Sequence, residues 1–248
     1  MNIKRLRNKN IFVTGGTGAL GQSFCTEFVK NGANVTFSWY KNQKIATNLL
    51  GRLKKINPNC HSIFLDITKK QQVKQAVGDL IKLIDRIDIL VNNSGISEAL
   101  PFAFIEENDW EKLMNVNIKG TFLVTSSVLP HMVRQRSGKI LNIGSIAGTR
   151  MIEAPVHYCT SKAALIGFTQ SLSKEVGRYN IQVNCLAPGL LNKGVAEKLP
   201  PNKLETYLEQ TALGRVGTVE EAARCAAFLI SDKNSYMTGS IISMDGGL

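Results

Sequence analysis

The stretch Asn10-Ile-Phe-Val-Thr-Gly-Gly-Thr-Gly-Ala-Leu-Gly21 joins a short apolar run to a glycine-rich turn and then to a helical pattern. Residues 10–14 are predicted to form a buried strand, and residues 18–31 a helix that ends at Gly32. Glycines let the backbone turn tightly and approach a phosphate, and a helix N-terminus supplies free N–H groups. Strand, turn and helix in this order predict a phosphate-binding turn, with a purely structural glycine turn as the alternative.

The rest of the chain alternates in the same way between short β-branched runs and longer helical stretches. This alternation predicts an α/β fold, a doubly wound (Rossmann) parallel seven-stranded sheet with helices on both faces. The predicted strands are 10–14, 34–38, 60–65, 87–92, 139–144, 181–186 and 240–244, and the predicted helices are 18–31, 43–56, 69–84, 108–134 (bent near Gly120), 156–178, 203–210 and 219–230.

No linker, low-complexity run or internal repeat divides the chain, and 248 residues fit one large α/β domain. Residues 1–248 are therefore predicted to form a single domain. Within it, residues 8–95 are expected mainly to bind a cofactor, and residues 96–248 to carry catalysis, the substrate loop and the oligomer contacts.

In a doubly wound sheet the ligand binds at the carboxyl ends of the strands. Glycine and polar residues fall at or just after those predicted ends, which indicates a dinucleotide site along this edge. The residues predicted to contact the dinucleotide are Gly15, Thr17, Gly18, Leu20, Gly21, Ser38, Lys41, Asp66, Ile67, Asn92, Ser94, Gly95, Tyr158, Lys162, Pro188 and Gly189.

The identity of the dinucleotide depends on the end of the second strand. An acidic residue there would bond the ribose 2′-hydroxyl of NAD(H) and repel the 2′-phosphate of NADP(H). Residues 37–42 include no acidic residue, whereas Lys41 lies among them and Ser38 can donate a hydrogen bond. NADP(H) is therefore favoured over NAD(H).

Tyr158 and Lys162 stand four residues apart in a predicted helix, and Ser145 lies thirteen residues before Tyr158. A four-residue step places two side chains on one helix face, one turn apart. A neighbouring ammonium favours the ionised phenol, which makes the phenol proton easier to transfer. A serine hydroxyl beside them can hold a carbonyl oxygen. The trio predicts proton transfer to or from a carbonyl or alcohol oxygen, although a Tyr-x-x-x-Lys pair also occurs by chance in many helices.

Composition narrows the possible partners. The net charge of +11 and the pI near 9.5 indicate either an acidic partner or only a lysine-rich solvated surface. Nucleic-acid binding is not expected, because the basic residues are spread along the chain without interleaved aromatics.

Five scattered cysteines and three histidines without ligand spacing predict reduced thiols, a cytoplasmic protein and no metal site. No secretory signal or membrane span is expected.

Taken together, these motifs resemble the short-chain dehydrogenase/reductase family, over nearly the whole chain and in the family's order and spacing. The resemblance implies an active-site tetrad of Asn117, Ser145, Tyr158 and Lys162. It implies that Tyr158 is the general acid in reduction, that Ser145 orients the substrate oxygen, and that Lys162 assists Tyr158 and bonds the nicotinamide ribose. Asn117 is expected to hold a water molecule that extends the proton relay.

The C-terminal segments 213–217, 236–239 and 244–247 are similar to those of one group in this family, the 3-oxoacyl-(acyl-carrier-protein) reductases. The similarity implies NADPH-dependent reduction of a 3-oxoacyl thioester by a homotetramer. It also implies an acidic acyl carrier protein as partner, with Arg136 and Arg178 as candidate docking residues. Two solvated arginines at helix ends are the alternative.

Several positions depart from the family pattern. Gly18 and Ala19 alter the glycine spacing, an arginine common at position 18 in NADPH-specific members is missing, Ser94 replaces alanine, and Lys193 replaces threonine. These departures indicate a paralogue in a specialised pathway, for example a dedicated carrier-protein or polyketide-like system. Because a fold does not fix its substrate, a steroid, a sugar or a secondary alcohol is the alternative. A cofactor-binding scaffold without activity is a third hypothesis. Residues 192–201 are expected to form a substrate lid.

Overall fold

A computed structural model of the protein describes residues 5–194 and 196–248. Its strands are β1 (Asn10–Val13), β2 (Asn34–Trp39), β3 (His61–Phe64), β4 (Ile89–Asn92), β5 (Gly138–Ile143), β6 (Ile181–Pro188) and β7 (Ile241–Met244). They form one parallel sheet in the order β3-β2-β1-β4-β5-β6-β7. The predicted doubly wound seven-stranded sheet is therefore confirmed, and the order changes direction between β1 and β4, where such sheets bind ligands.

The connecting helices also lie where the sequence predicts them. They are α1 (Ala19–Lys30), α2 (Gln43–Lys54), α3 (Lys70–Ile84), α4 (Glu107–Met114), α5 (Thr121–Gln135), α6 (Val156–Val176), α7 (Pro201–Gln210) and α8 (Val219–Leu229). The bend predicted near Gly120 is a π-helical segment, Asn115–Gly120, that separates α4 from α5. A Cβ atom at Gly120 would fall 2.4 Å from Cδ1 of Ile67, so a larger residue cannot lie there without displacing Ile67.

Two apolar layers cover the sheet, because successive strand residues point to opposite faces. Ile11 and Val13 contribute to a layer shared with α1, α2 and α8. Phe12 contributes to the other layer, which it shares with α3, α5 and the end of α6. These layers fix the helices over the sheet and leave the carboxyl ends of the strands open to hold a ligand.

A buried chain of polar side chains joins both central strands to the helices. Asn92 Nδ2 donates to Oγ1 of Thr125 and to Oδ1 of Asn142, both at 2.9 Å. Asn142 Nδ2 in turn donates to Oγ1 of Thr169, also at 2.9 Å. The chain therefore connects α5, β4, β5 and α6 within the core, where an unpaired polar group would be costly.

We expect Asn142→Leu to lower the free energy of unfolding by about 3 kcal/mol, because it removes an acceptor from Asn92 and a donor from Thr169 in a buried site. Urea denaturation measures this loss. The double variant Asn142→Leu/Thr169→Val should lose less free energy of unfolding than the two single variants lose together, because both ends of one hydrogen bond are then apolar. A change below about 0.5 kcal/mol for Asn142→Leu would contradict this role.

Candidate active site

The glycine turn between β1 and α1 is shaped by close backbone contacts. Gly15 has a φ of +66°, which side-chain-bearing residues rarely adopt. A Cβ atom at Gly16 would fall 2.6 Å from Cβ of Phe37, and one at Gly21 would fall 2.3 Å from the Gly15 carbonyl oxygen. The turn thus needs glycine at Gly15 for its backbone conformation, at Gly21 for a close backbone contact, and at Gly16 for the packing of the Phe37 side chain.

The end of β4 fastens this turn in place. Asn93 Nδ2 donates to the carbonyl oxygens of Thr14 and Gly15, both at 3.0 Å. Thr14 Oγ1 accepts from the backbone N–H groups of Asn93 and Ser94, also at 3.0 Å. Asn93 is not among the residues predicted to contact the dinucleotide, although the stretch Asn92-Asn93-Ser94-Gly95 that contains it is expected to line the cofactor through its backbone.

Ser38 lies in the second strand, as predicted, but one residue before its end. β2 continues to Trp39, so Ser38 is inside the strand and only 1% exposed. Its hydroxyl accepts the Gly15 N–H at 3.1 Å, and its carbonyl accepts the Gly16 N–H at 2.8 Å. Ser38 therefore supports the turn as an acceptor, and its hydroxyl makes no donated hydrogen bond to another described residue. That Ser38 donates a hydrogen bond to the cofactor stays a prediction.

The other residues predicted to contact the cofactor differ in their surroundings. Lys41 is exposed beyond the end of β2. Asp66 follows β3, and its carboxylate accepts from the backbone N–H and the hydroxyl of Thr68. Ile67 is buried against Gly120, and the Asn92 side chain belongs to the core. Thr17, Gly18, Leu20, Gly95, Pro188 and Gly189 lie at the carboxyl edge of the sheet, as expected.

The start of α6 carries Tyr158 and Lys162 to the end of β5. Lys162 is 7% exposed, and its Nζ donates to the Ile143 carbonyl at 2.8 Å. Nζ lies 5.6 Å from the centroid of the Tyr158 ring. Ser145 follows β5, and its Oγ accepts the Ala147 N–H at 3.1 Å, which leaves its own proton available for a ligand.

Asn117 links this helix to the loop after β4. Its side-chain amide accepts from the Ile96 N–H at 2.8 Å and donates to the Ile96 carbonyl at 3.0 Å. It also donates to Ser161 Oγ at 3.0 Å, and Ser161 donates to the Tyr158 carbonyl at 2.8 Å. The Asn117 amide is thus held by protein groups on both atoms. Ser161, which the sequence analysis missed, joins Asn117 to Tyr158 from a position three residues along the helix.

Gly95 brings the two halves of the site into contact. A Cβ atom there would lie 3.3 Å from Oδ1 of Asn117 and 3.7 Å from Nζ of Lys162. The loop after β4 continues from Asn93 to Gly95. It therefore runs directly past Lys162 and Asn117 of the predicted tetrad.

A family model described as short chain dehydrogenase matches residues 9–204. The chain belongs to the short-chain dehydrogenase family. It is accordingly an NAD(P)-dependent oxidoreductase that acts on carbonyl or hydroxyl groups.

Named relatives of this short-chain dehydrogenase match over almost their whole length. The 3-oxoacyl-[acyl-carrier-protein] reductase FabG of Thermotoga maritima is 36% identical over 98% of this chain and 99% of its own. The protein of the same name from Chlamydia trachomatis is 38% identical over 98% of both chains. A solved gluconate 5-dehydrogenase from Burkholderia cenocepacia, in complex with NADP and tartrate, is 29% identical with a TM-score of 0.93, covering 100% of this chain and 97% of that one.

The glycine turn of this short-chain dehydrogenase fits a nicotinamide dinucleotide. Within residues 5–194 and 196–248, no side chain caps α1 at Gly18, so its first N–H groups can meet a phosphate. The first turn of α1 has no acidic residue to oppose that charge. A Cβ atom at Gly18 would have only the Gly15 carbonyl oxygen close to it, at 3.6 Å, so the backbone there leaves room for the close approach of a pyrophosphate.

α7 closes over the carboxyl end of β6. Tyr207 Oη accepts the Leu190 N–H at 3.0 Å, and a Cβ atom at Gly189 would fall 2.4 Å from it. Burial, and secondarily the Asp245 carboxylate, raises the pKa of Tyr207. An ion pair between Lys203 and Glu153 ties α7 to the loop before Tyr158.

Lys193, in the predicted lid, is exposed, and part of that lid at residue 195 lies outside the described residues.

The two candidate docking arginines lie together but away from the tetrad. Arg136 Nη2 donates to the Arg178 carbonyl at 3.4 Å. Arg136 precedes β5, whereas Ser145 follows it, and a strand of six residues spans about 20 Å. The arginines therefore occupy the amino edge of the sheet, opposite the predicted catalytic edge.

Neither metal ligands nor a membrane helix emerges from the described part of the chain. No group of three or more His, Cys, Asp or Glu side chains there could hold a metal ion. Nor does any helix in those residues combine the length and apolar character needed to cross a bilayer.

His157 precedes Tyr158 and is completely buried, with neither ring nitrogen bonded to another described residue. Burying an unpaired polar group is unfavourable, so an apolar side chain of similar size should be tolerated. We expect His157→Leu to leave the melting temperature unchanged or higher, and His157→Ala to lower the free energy of unfolding by about 2 kcal/mol through the cavity it leaves. Thermal and urea denaturation measure both. A loss above about 1 kcal/mol for His157→Leu would show that the imidazole has a partner.

Proposed function

We propose that this enzyme reduces a 3-oxoacyl thioester to the 3-hydroxyacyl thioester with NADPH. The observation that carries the proposal is the 36–38% identity to 3-oxoacyl-[acyl-carrier-protein] reductases over 98% of the chain. The approach of Lys162 to Tyr158 at the end of β5 supports it, because reduction of a ketone needs a proton donor beside the carbonyl oxygen.

Each residue of the proposed tetrad has a role that its contacts support. Tyr158 gives its phenol proton to the ketone oxygen, and Ser145 donates a hydrogen bond to the same oxygen. The Lys162 ammonium, held by Ile143, stabilises the phenolate that remains. Asn117 positions this helix through Ser161, and any relay water would bind beside it rather than to its engaged amide. A bound nicotinamide supplies the hydride.

The proposed preference for NADP(H) rests on charge at the end of β2. Exposed Lys41 lies there, and residues 37–42 include no acidic side chain to repel a 2′-phosphate. The gluconate 5-dehydrogenase of similar structure was solved with NADP. We also propose that the dinucleotide contacts the other residues predicted from the sequence to bind it, which run along the chain from Gly15 to Gly189.

We further propose that the substrate is carried by an acyl carrier protein, as the names of the relatives indicate, and that the enzyme is a cytoplasmic homotetramer. The net charge of +11 would attract an acidic carrier. Because Arg136 and Arg178 lie at the opposite edge of the sheet from Ser145, a carrier bound at these arginines would have to span the length of β5 to reach the same subunit's site.

The direct test follows NADPH and NADH absorbance with acetoacetyl-CoA and with an acetoacetyl-carrier protein. We expect NADPH to be consumed, and faster with the carrier-bound substrate. Absence of turnover with either thioester, in protein that binds NADPH, would refute the thioester reaction.

A second candidate is reduction or oxidation of another ketone or alcohol, such as a sugar acid. It is favoured by the TM-score of 0.93 to a gluconate 5-dehydrogenase. Turnover of gluconate or a related polyol with NADP, exceeding that of any 3-oxoacyl thioester, would select this alternative.

Tyr158→Phe should lower kcat by about 10²–10⁴-fold, because it removes the proton donor and little volume. The affinity for NADPH, measured by fluorescence titration, should stay within about threefold, since only the hydroxyl is lost. Tyr236→Phe is the matched control, because Tyr236 is 99% exposed. Unchanged turnover in Tyr158→Phe would remove Tyr158 from the mechanism.

A further inference from the structure

The glycine turn has no cation of its own. Residues 14–21 include no charged side chain, so the turn can meet a 2′-phosphate only with backbone groups. A phosphate monoester carries more than one negative charge near neutral pH and binds best to charged donors. Lys41 is one nearby cation, but lysine acts as a point charge on a flexible stem.

Arg52 reaches this region from α2. α2 buries Ala46, Leu49 and Leu53, which leaves Arg52 exposed on its flank. Arg52 Nη2 donates to Oε1 of Gln22 at 2.9 Å. The guanidinium is therefore held against the first turn of α1 rather than extended into solvent.

Gln22 connects this guanidinium to the cofactor turn. Its Nε2 donates to the Thr17 carbonyl at 3.1 Å, and its backbone N–H donates to the Gly18 carbonyl at 2.9 Å. Arg52 thus lies two hydrogen bonds from Thr17, beside the place where the turn becomes a helix.

The remaining donors of Arg52 are uncommitted. A guanidinium has five N–H groups. Among the residues that the structure describes, Arg52 makes one side-chain hydrogen bond and no ion pair. Arg52 lies in the last turn of α2, a helix with no acidic residue, and the first turn of α1, which it contacts, has none either. A cation placed so, with a planar fork of free donors, suits a phosphate.

We propose that Arg52, positioned by Gln22, is a specificity-determining residue that binds the 2′-phosphate of NADP(H). The inference rests on the proposed NADP(H) preference and adds the residue that produces it. A surface hydrogen bond without a ligand is the competing explanation, and the two differ in which cofactor a substitution affects.

The test measures dissociation constants for NADPH and NADH by protein fluorescence, without substrate, in the full-length protein. Arg52→Ala should weaken NADPH binding by about tenfold or more, the range expected for a charge-assisted hydrogen bond, and leave NADH binding within about twofold. Lys54→Ala is the matched control, because it removes one exposed positive charge from the same helix. The Lys54→Ala variant should change neither constant by more than about twofold, as screened surface charges contribute little.

Further variants separate a direct contact from a general effect. Arg52→Lys should keep part of the NADPH affinity, and Gln22→Ala should weaken NADPH selectively but less than Arg52→Ala. Binding of 2′-AMP against 5′-AMP reports the phosphate contact without the nicotinamide. Loss of 2′-AMP binding alone in Arg52→Ala supports the proposal.

The outcomes separate two proposals: that Arg52 binds the 2′-phosphate, and that the protein prefers NADP(H). Equal weakening of NADPH and NADH in Arg52→Ala, or an equal NADPH loss in Lys54→Ala, overturns the role of Arg52. Unchanged NADPH binding in Arg52→Ala also overturns it, even where the native protein prefers NADPH. A native protein that prefers NADH instead refutes the proposed cofactor itself.

Discussion

The side-chain hydrogen bond between Asn92 and Asn142 joins β4 to β5 within the core, and the site depends on it. The residues directly after these two strands lie at the predicted site. Asn93, directly after β4, fastens the glycine turn through two carbonyl oxygens. Ser145, just after β5, faces the same edge of the sheet. A shift of one strand against the other would separate the cofactor turn from the groups proposed to act on the substrate, because the turn is fastened to the end of β4 whereas Ser145 follows β5.

A second set of hydrogen bonds fixes α6, which carries Tyr158 and Lys162, against the ends of β4 and β5. Lys162 is fixed by the Ile143 carbonyl at the end of β5, and Asn117 is fixed by both backbone groups of Ile96 after β4. Ser161 closes the connection between Asn117 and the Tyr158 carbonyl. Holding polar groups in one geometry before a ligand arrives avoids the cost of arranging them during reaction, which is the physical basis of preorganised catalysis.

The sequence alone predicts the sheet, because alternating patterns and the glycine turn are local signals, and it predicts which residues gather at the strand ends. It ends the second strand one residue early, and it does not reveal that Ser38 is buried beneath the glycine turn. It misses Asn93 and Ser161, since an asparagine in a loop and a serine in a helix have no local pattern that reveals partners far along the chain. The contact of Arg52 with Gln22 depends on how α2 packs beside α1, which no spacing in the sequence encodes.

The proposed reaction transfers hydride from NADPH to the ketone carbon of a 3-oxoacyl thioester. The most direct measurement is mass spectrometry of the product formed from an acetoacetyl thioester with NADPH deuterated at the transferring position of nicotinamide C4. The account predicts a 3-hydroxybutyryl thioester with one deuterium at C3. Recovery of unreacted acetoacetyl thioester, from protein saturated with NADPH, would contradict it.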